Sequence, residues 1–148
     1  MPDRIERQAE LNAPIARVWR AMADYREFGD WFGVKLNGPF VSGQPARGNI
    51  THPGYEHVVW EVMIAQMEEE SVFSFRWHPY ALDKTVDYSG ERPTLVEFRL
   101  EEITGGTRLR LVESGFDGIP EERRAEAFQM HEGGWTQQMK NIESYLAK

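Results

Sequence analysis

Ile119-Pro120-Glu121-Glu122-Arg123-Arg124 opens a segment that runs to Lys148 without another proline. Within it Phe128, His131, Trp135, Met139, Ile142 and Tyr145/Leu146 recur in steps of three and four. That spacing places them on one stripe of a single helix. A helix from Pro120 to Ala147 is roughly 40 Å long at 1.5 Å per residue. Nearly everything before it has the pattern of β-strand. One long helix with an aromatic stripe, in a chain of 148 residues, must bury that stripe against a curved sheet. Where helix and sheet do not quite meet, a cavity is expected.

Working back along the chain, Thr107 to Glu113 alternates, with Leu109, Leu111 and Glu113 on one face. Gly105-Gly106 is a hairpin turn joining this strand to Leu95–Ile103. Val72–His78 puts Phe73, Phe75 and Trp77 on one face, and His57–Glu68 does the same with Val58, Trp60, Val62 and Ile64. Ala46–His52 and Val34–Phe40 flank the turn cluster Ser42-Gly43-Gln44-Pro45. The polar stretch from Leu82 to Arg92 reads as a loop, placed where it could close over a pocket mouth. At the other end, Ile5–Leu11 is a half-buried strand. Two short helices follow, over Pro14–Ala23 with Asn12 as its cap, and over Tyr25–Phe32, ended by Gly33. Hairpin-linked strands are antiparallel. The reading is an α+β fold in one domain over residues 1–148, with helices on one side of an antiparallel sheet.

Composition narrows function by exclusion. Zero cysteines remove disulfides, thiolate metal sites and cysteine nucleophiles together. A net charge of −7, with no basic stripe, argues against nucleic acid. No apolar run reaches the ~20 residues of a membrane span, and the N-terminus lacks a signal-peptide core. A cytoplasmic protein without membrane contact is expected. The histidines show no metal spacing, so no metal and no cofactor are expected. Ser114 lacks a nucleophile elbow because position 112 is valine.

Several motifs together resemble the START-like, birch-pollen-allergen-like superfamily (SRPBCC). They are Asn12-Ala13-Pro14-Ile15-Ala16-Arg17-Val18-Trp19-Arg20-Ala21, Trp31-Phe32, Phe73-Ser74-Phe75-Arg76-Trp77 and Glu113-Ser114-Gly115-Phe116. Gly133-Gly134-Trp135 follows in the long helix, with Asn141-Ile142 and Tyr145-Leu146 beyond it. Within the superfamily the chain is most similar to the branch named after the activator of the heat-shock-protein-90 ATPase. The resemblance implies a helix-grip fold of about seven antiparallel strands around the C-terminal helix. It also implies an internal apolar pocket for a lipid-, polyketide- or flavonoid-like ligand, held by a carrier or sensor. Among relatives are also cyclases, aromatases and co-chaperones, so a cyclase-, aromatase- or hydrolase-like enzyme and a stress-response chaperone partner are alternatives.

The candidate pocket residues are Trp31, Trp60, Phe75, Trp77, Phe98, Leu111, Glu113, Phe128, His131 and Trp135. The rings divide between pocket wall and plain core. Strict alternation turns Glu113 inward, where a carboxylate needs a partner. Arg76, His131 and Arg99 are the candidates. Glu113 is then a polar anchor or acid/base group, a structural ion pair, or turned outward by a bulge near Gly115. His131 sits one turn before Trp135, as a ligand contact, an acid/base group or a core histidine with its own partner. Two adjacent mid-helix glycines, Gly133-Gly134, cost about 0.8–1 kcal/mol each. They predict close approach to a strand, or a bend beside the pocket. An exposed edge strand leaves a homodimer open.

Overall fold

The computed structural model describes residues 3–78 and 90–147. Strand β1 (Arg4–Leu11) leads into helices α1 (Ile15–Ala23) and α2 (Tyr25–Phe32). Strands β2 (Val34–Leu36), β3 (Pro45–Ile50), β4 (Val59–Glu68), β5 (Val72–Trp77), β6 (Thr94–Ile103) and β7 (Gly106–Ser114) follow. A 3-10 turn at Phe116–Gly118 precedes helix α3 (Glu121–Leu146). The seven strands form one sheet in the order β1-β7-β6-β5-β4-β3-β2, and every neighbouring pair is antiparallel. This is the α+β helix-grip architecture expected from the sequence.

Alternation sets the core. Trp60, Val62 and Ile64 from β4, Phe73 and Phe75 from β5, Val96 and Phe98 from β6, and Leu109 and Leu111 from β7 are all buried. Between Ile64 and Gln66 the β4–β5 register shifts around Ala65, and such a bulge bends and twists its strand. The sheet thereby curves toward α3, whose Trp135 meets Phe98 of β6 edge-on at 5.7 Å. The α3 stripe is buried at Ala127, Phe128, Trp135, Met139 and Ile142. Glu121 and Glu122 occupy its first turn, where carboxylates favour the helix dipole.

The chain between β1 and β2 must cross the whole sheet, because these two strands are its opposite edges. Helices α1 and α2 make that crossing, and α2 also packs on α3. Asp24 holds the junction by accepting from the Arg26 and Glu27 amides at 2.9 and 3.4 Å. Gly33 ends α2 at φ 93°, a left-handed geometry suited to glycine. Glu27 ties three helices together, pairing with Arg17 at 2.7 Å and Arg20 at 2.9 Å, and accepting the Tyr145 hydroxyl at 2.8 Å.

Three local expectations are corrected. Asn12 does not cap α1; the capping position is Pro14, which makes no side-chain bond. Strand β2 stops at Leu36, and Phe40 instead leaves the sheet to pack against Phe28 and Phe73, with ring centres 5.3 and 5.1 Å away. Close backbone approach is found not at Gly133-Gly134 but at Gly29, Gly48 and Gly106, where an added Cβ would fall 2.2, 2.2 and 2.0 Å from the Val34, Lys35 and Leu11 carbonyl oxygens. Neither Gly133 nor Gly134 has an atom within 4 Å of such a Cβ. The Leu82–Arg92 loop lies outside the described residues up to position 89. Its last residues hold to α3 through Glu91, which pairs with Arg123 at 2.7 and 3.0 Å.

Candidate functional site

Glu113 continues the inward face of β7 and is fully buried. Its partner on β6 is Val96, and Thr94 lies two residues earlier on the same inward face. Trp77 ends β5 opposite Thr94. From the other side α3 presents His131 and Trp135, one turn apart and therefore on one face. Four donors converge on the carboxylate. Oε2 accepts from Trp77 Nε1 at 2.7 Å and from the Thr94 hydroxyl at 2.5 Å. Oε1 accepts from His131 Nδ1 at 2.7 Å and from Trp135 Nε1 at 2.8 Å.

This arrangement decides the protonation of the group. An indole N–H can only donate, and an ionised carboxylate offers about four acceptor positions. Burial pushes the Glu113 carboxyl upward, but the His131 hydrogen bond and charge, with the Thr94 and Trp135 bonds, outweigh it and hold the group below the ordinary glutamate value. Glu113 is therefore an anion, and His131 Nδ1 carries the proton it shares. Arg76 and Arg99, the other candidate partners, are exposed. Arg99 pairs with Glu97 at 3.2 Å.

The same side chains form the wall of a cleft of about 240 Å³ between the end of α2, β5 and α3. Phe32, Trp77, His131 and Trp135 give its aromatic surface, and Met130, Gly134 and Gln138 complete it. Trp77 lies 5.8 Å from Trp135 and 5.4 Å from His131, centre to centre. Phe32 faces Trp135 at 6.0 Å and is itself stacked on Phe28 at 4.8 Å. Gln138 donates to the Phe32 carbonyl at 2.9 Å, which fixes α2 to α3 at the rim. A larger groove of about 500 Å³ runs from Gly33 and Thr51 to Asn141 and Tyr145. Its wall includes the buried Trp31 and the exposed Asp30, Thr51 and His52, and Tyr145 on it donates to Glu27 at 2.8 Å.

Of the residues singled out from sequence, Trp77, His131 and Trp135 meet at this cleft and Glu113 lies directly behind them. Trp31, Trp60, Phe75, Phe98, Leu111 and Phe128 are buried in the packed core. Trp31 donates to the Ala21 carbonyl at 2.8 Å, and Phe128 packs edge-on against Phe116 at 5.1 Å. Phe32, Met130, Gln138 and Thr94 were not anticipated as site residues, and Gly134 was expected beside the pocket only as part of a bend. A signal existed for most of them. Met130, Gly134 and Gln138 form the i, i+4, i+8 row beside His131 and Trp135, and Thr94 continues the parity of Val96 and Phe98.

Gly134 now has a physical reason. It borders the cleft, and its missing side chain leaves that space open. Gly134→Ala is expected to raise stability by about 0.8–1 kcal/mol through helix propensity, measured by urea unfolding. Gly134→Leu is expected to fold as well and to fill the cleft.

A curved antiparallel sheet gripping a long C-terminal helix, with an aromatic cleft beside that helix, defines a START-like domain of the SRPBCC superfamily. Residues 12–147 match the family model described as "Activator of Hsp90 ATPase homolog 1-like protein", and the chain belongs to that family. Solved structures share the fold at low identity. DynU16, a protein of the dynemicin biosynthetic locus, is 21% identical with a TM-score of 0.76; the match covers 100% of this chain but only 48% of that one. Protein MLL2253 from Mesorhizobium loti is 24% identical with a TM-score of 0.74, over 97% of this chain and 96% of that one. The Aha1 dimer from Colwellia psychrerythraea is 14% identical with a TM-score of 0.71, over 97% and 95%. No curated protein matches the chain.

Proposed function

We propose that this chain, acting as one START-like unit, binds a small hydrophobic molecule in the Phe32–Trp77–Trp135 cleft and serves as a carrier or sensor. One observation carries the reading. The cleft's indole and imidazole walls are locked from behind by hydrogen bonds to a single buried carboxylate. Walls held in this way lose little side-chain freedom when a ligand arrives, so more of the contact energy appears as affinity. Apolar rings with few polar groups are also the usual lining of a small-molecule site. DynU16 lies in a biosynthetic locus, which is in keeping with a small-molecule ligand.

The test is a panel of one- and two-ring hydrophobes, followed by tryptophan fluorescence and thermal unfolding. A ligand at a hundred times its Kd is expected to add about 2.7 kcal/mol. Gly134→Leu should remove both signals while remaining folded. Absence of any shift across the panel would sink the proposal, and an unchanged response in Gly134→Leu would move the site elsewhere.

A second reading, an enzyme of the cyclase or aromatase kind, draws on the His131–Glu113 pair, whose geometry suits proton transfer at the remaining ring nitrogen. Turnover lost in His131→Phe would favour it over a carrier. A dimer, as in the Colwellia psychrerythraea structure, and a chaperone partner, suggested by the family description, belong to the same set of proposals. Sedimentation and chaperone ATPase stimulation measure them. Among the described residues no helix is long and apolar enough to cross a membrane; a cytoplasmic location is part of the proposal.

A further inference from the structure

We infer that α3 carries a hinge at its Glu132–Thr136 turn, pinned by Arg7 of the edge strand β1, and that opening of this turn admits molecules to the cleft beside it. The hinge stands on the helix geometry alone; its use as an entrance rests on the cleft reading above. Three features meet in that one turn. Gly133 and Gly134 are adjacent and exposed, and an added Cβ at either would meet nothing within 4 Å. No close packing therefore requires the pair, and each glycine weakens the helix relative to alanine. Two residues on, the Thr136 hydroxyl donates back to the Glu132 carbonyl at 3.1 Å. That oxygen is also the ladder acceptor of the Thr136 amide, and back-bonding of this kind slightly destabilises and bends helices.

The third feature is Arg7. It shares the inward parity of Ile5 and Leu11 on β1 and is half-buried. Its Nη2 donates to the same Glu132 carbonyl at 3.0 Å, and its Nε donates to the Thr136 hydroxyl at 3.1 Å. Nη1 is spent on the neighbouring Glu6 carbonyl at 2.9 Å. One guanidinium thus spans the glycine pair and holds both its flanks to the sheet. Helices bend at glycine steps and where a side chain enters the ladder, and here both occur together. The guanidinium keeps its charge at any working pH, so the pin is not lost by titration.

The two halves of α3 are fastened to different parts of the fold. The amino half holds to the segment before it, through Arg124 to the Ile119 carbonyl at 3.1 Å and Phe128 to the Phe116 ring at 5.1 Å. The carboxyl half holds to α2, through Gln138 to the Phe32 carbonyl at 2.9 Å and Tyr145 to Glu27 at 2.8 Å. The hinge turn lies between them. On its inner side Trp135 is fixed to Glu113 at 2.8 Å and serves as the fulcrum. Gly134 and Trp135 line the cleft, with His131 just before them, so a bend in this turn widens the cleft mouth and leaves the sheet in place.

Amide hydrogen exchange, read by NMR on the whole chain, tests the hinge without any ligand. The amides of Thr136, Gln137 and Gln138 bond to the carbonyls of Glu132, Gly133 and Gly134 and report the opening of that turn. Corrected for intrinsic rates, they are expected to exchange about tenfold faster than those of Phe128 and Ile142, as two helix glycines predict. Arg7→Met should speed the three amides about tenfold more, the worth of one charge-assisted hydrogen bond, and leave Phe128 and Ile142 unmoved. Gly133→Ala, which lies outside the cleft lining, should slow the three about fivefold. Even protection along α3, or variants that shift all five amides alike, overturns the hinge. The entrance is tested by timing naphthalene binding with stopped-flow tryptophan fluorescence. Gly133→Ala should slow association and dissociation about fivefold each and leave Kd in place. Unchanged rates in that variant overturn the entrance. If naphthalene does not bind, the cleft reading falls and the entrance with it, while the exchange pattern still decides the hinge.

Discussion

Glu113→Gln is expected to lose about 3–5 kcal/mol of stability, the usual cost of removing one member of a buried pair. Glutamine keeps the size of the side chain but turns one acceptor oxygen into an NH2 group. Whichever oxygen is replaced, one indole N–H now aimed at the carboxylate would then face another donor, and the Thr94 hydroxyl or the His131 ring would have to turn to accept. Each buried polar group left unmatched costs about 1–3 kcal/mol. Urea unfolding at neutral pH measures the loss, and a change under about 1 kcal/mol would mean that the four contacts are not made in solution.

The same residue gives the protein an acid limb. Its pKa is held below the ordinary value of 4.5 by its donors, His131 foremost, against the opposing effect of burial. A carboxyl shifted downward stabilises the fold fully above its unfolded pKa, and that stability drains away as pH falls through the folded pKa. Wild-type stability is therefore expected to fall below about pH 4.5. Glu113→Gln should fall less steeply over the same range. Other carboxylates held low, such as Glu27 and Glu91, titrate in both proteins, so the difference between the two curves isolates Glu113.

Phe28→Ala should be of comparable size, about 3–5 kcal/mol for a buried phenylalanine reduced to a methyl. Phe28 is fully buried and touches five rings: Trp31, Phe32, Phe40, Trp60 and Phe73. It joins α2 to the loop carrying Phe40 and to strands β4 and β5, so no single neighbour can move in to fill the hole. Phe32 is stacked directly on it and forms one wall of the cleft. The substitution should therefore weaken hydrophobe binding as well as stability. A drop in the unfolding midpoint with an unchanged denaturant slope identifies a stability effect. Full ligand affinity in the folded variant would show that Phe32 does not need this support.

The elements were largely legible because helix and strand periods are local properties of the chain. The i, i+3, i+4 spacing from Phe128 to Leu146 located α3, and parity along Leu109, Leu111 and Glu113 turned the carboxylate inward. The short strand β2 was misjudged because Phe40 is apolar in either setting. Only its ring contacts with Phe28 and Phe73 take it out of the sheet. Gly133-Gly134 admits two readings from sequence, close approach to a strand or a bend beside the pocket, since propensity alone says only that a helix glycine needs a reason. The structure shows no close approach at either glycine, and Gly134 borders the cleft.

What the sequence by itself determined is the order of elements, the faces they bury, and that one ionisable group enters the core. It named His131 among three possible partners for that group. Only the tertiary structure chose between them, because the choice depends on how α3 lies across the ends of β5, β6 and β7. The same holds for the division of rings between core and cleft. Phe32, Trp77 and Trp135 stand far apart in the chain and meet only where the α2 end, β5 and α3 come together. Periodicity reports which side of an element is buried. It carries no information about where two buried sides fail to meet, and the cleft is such a place.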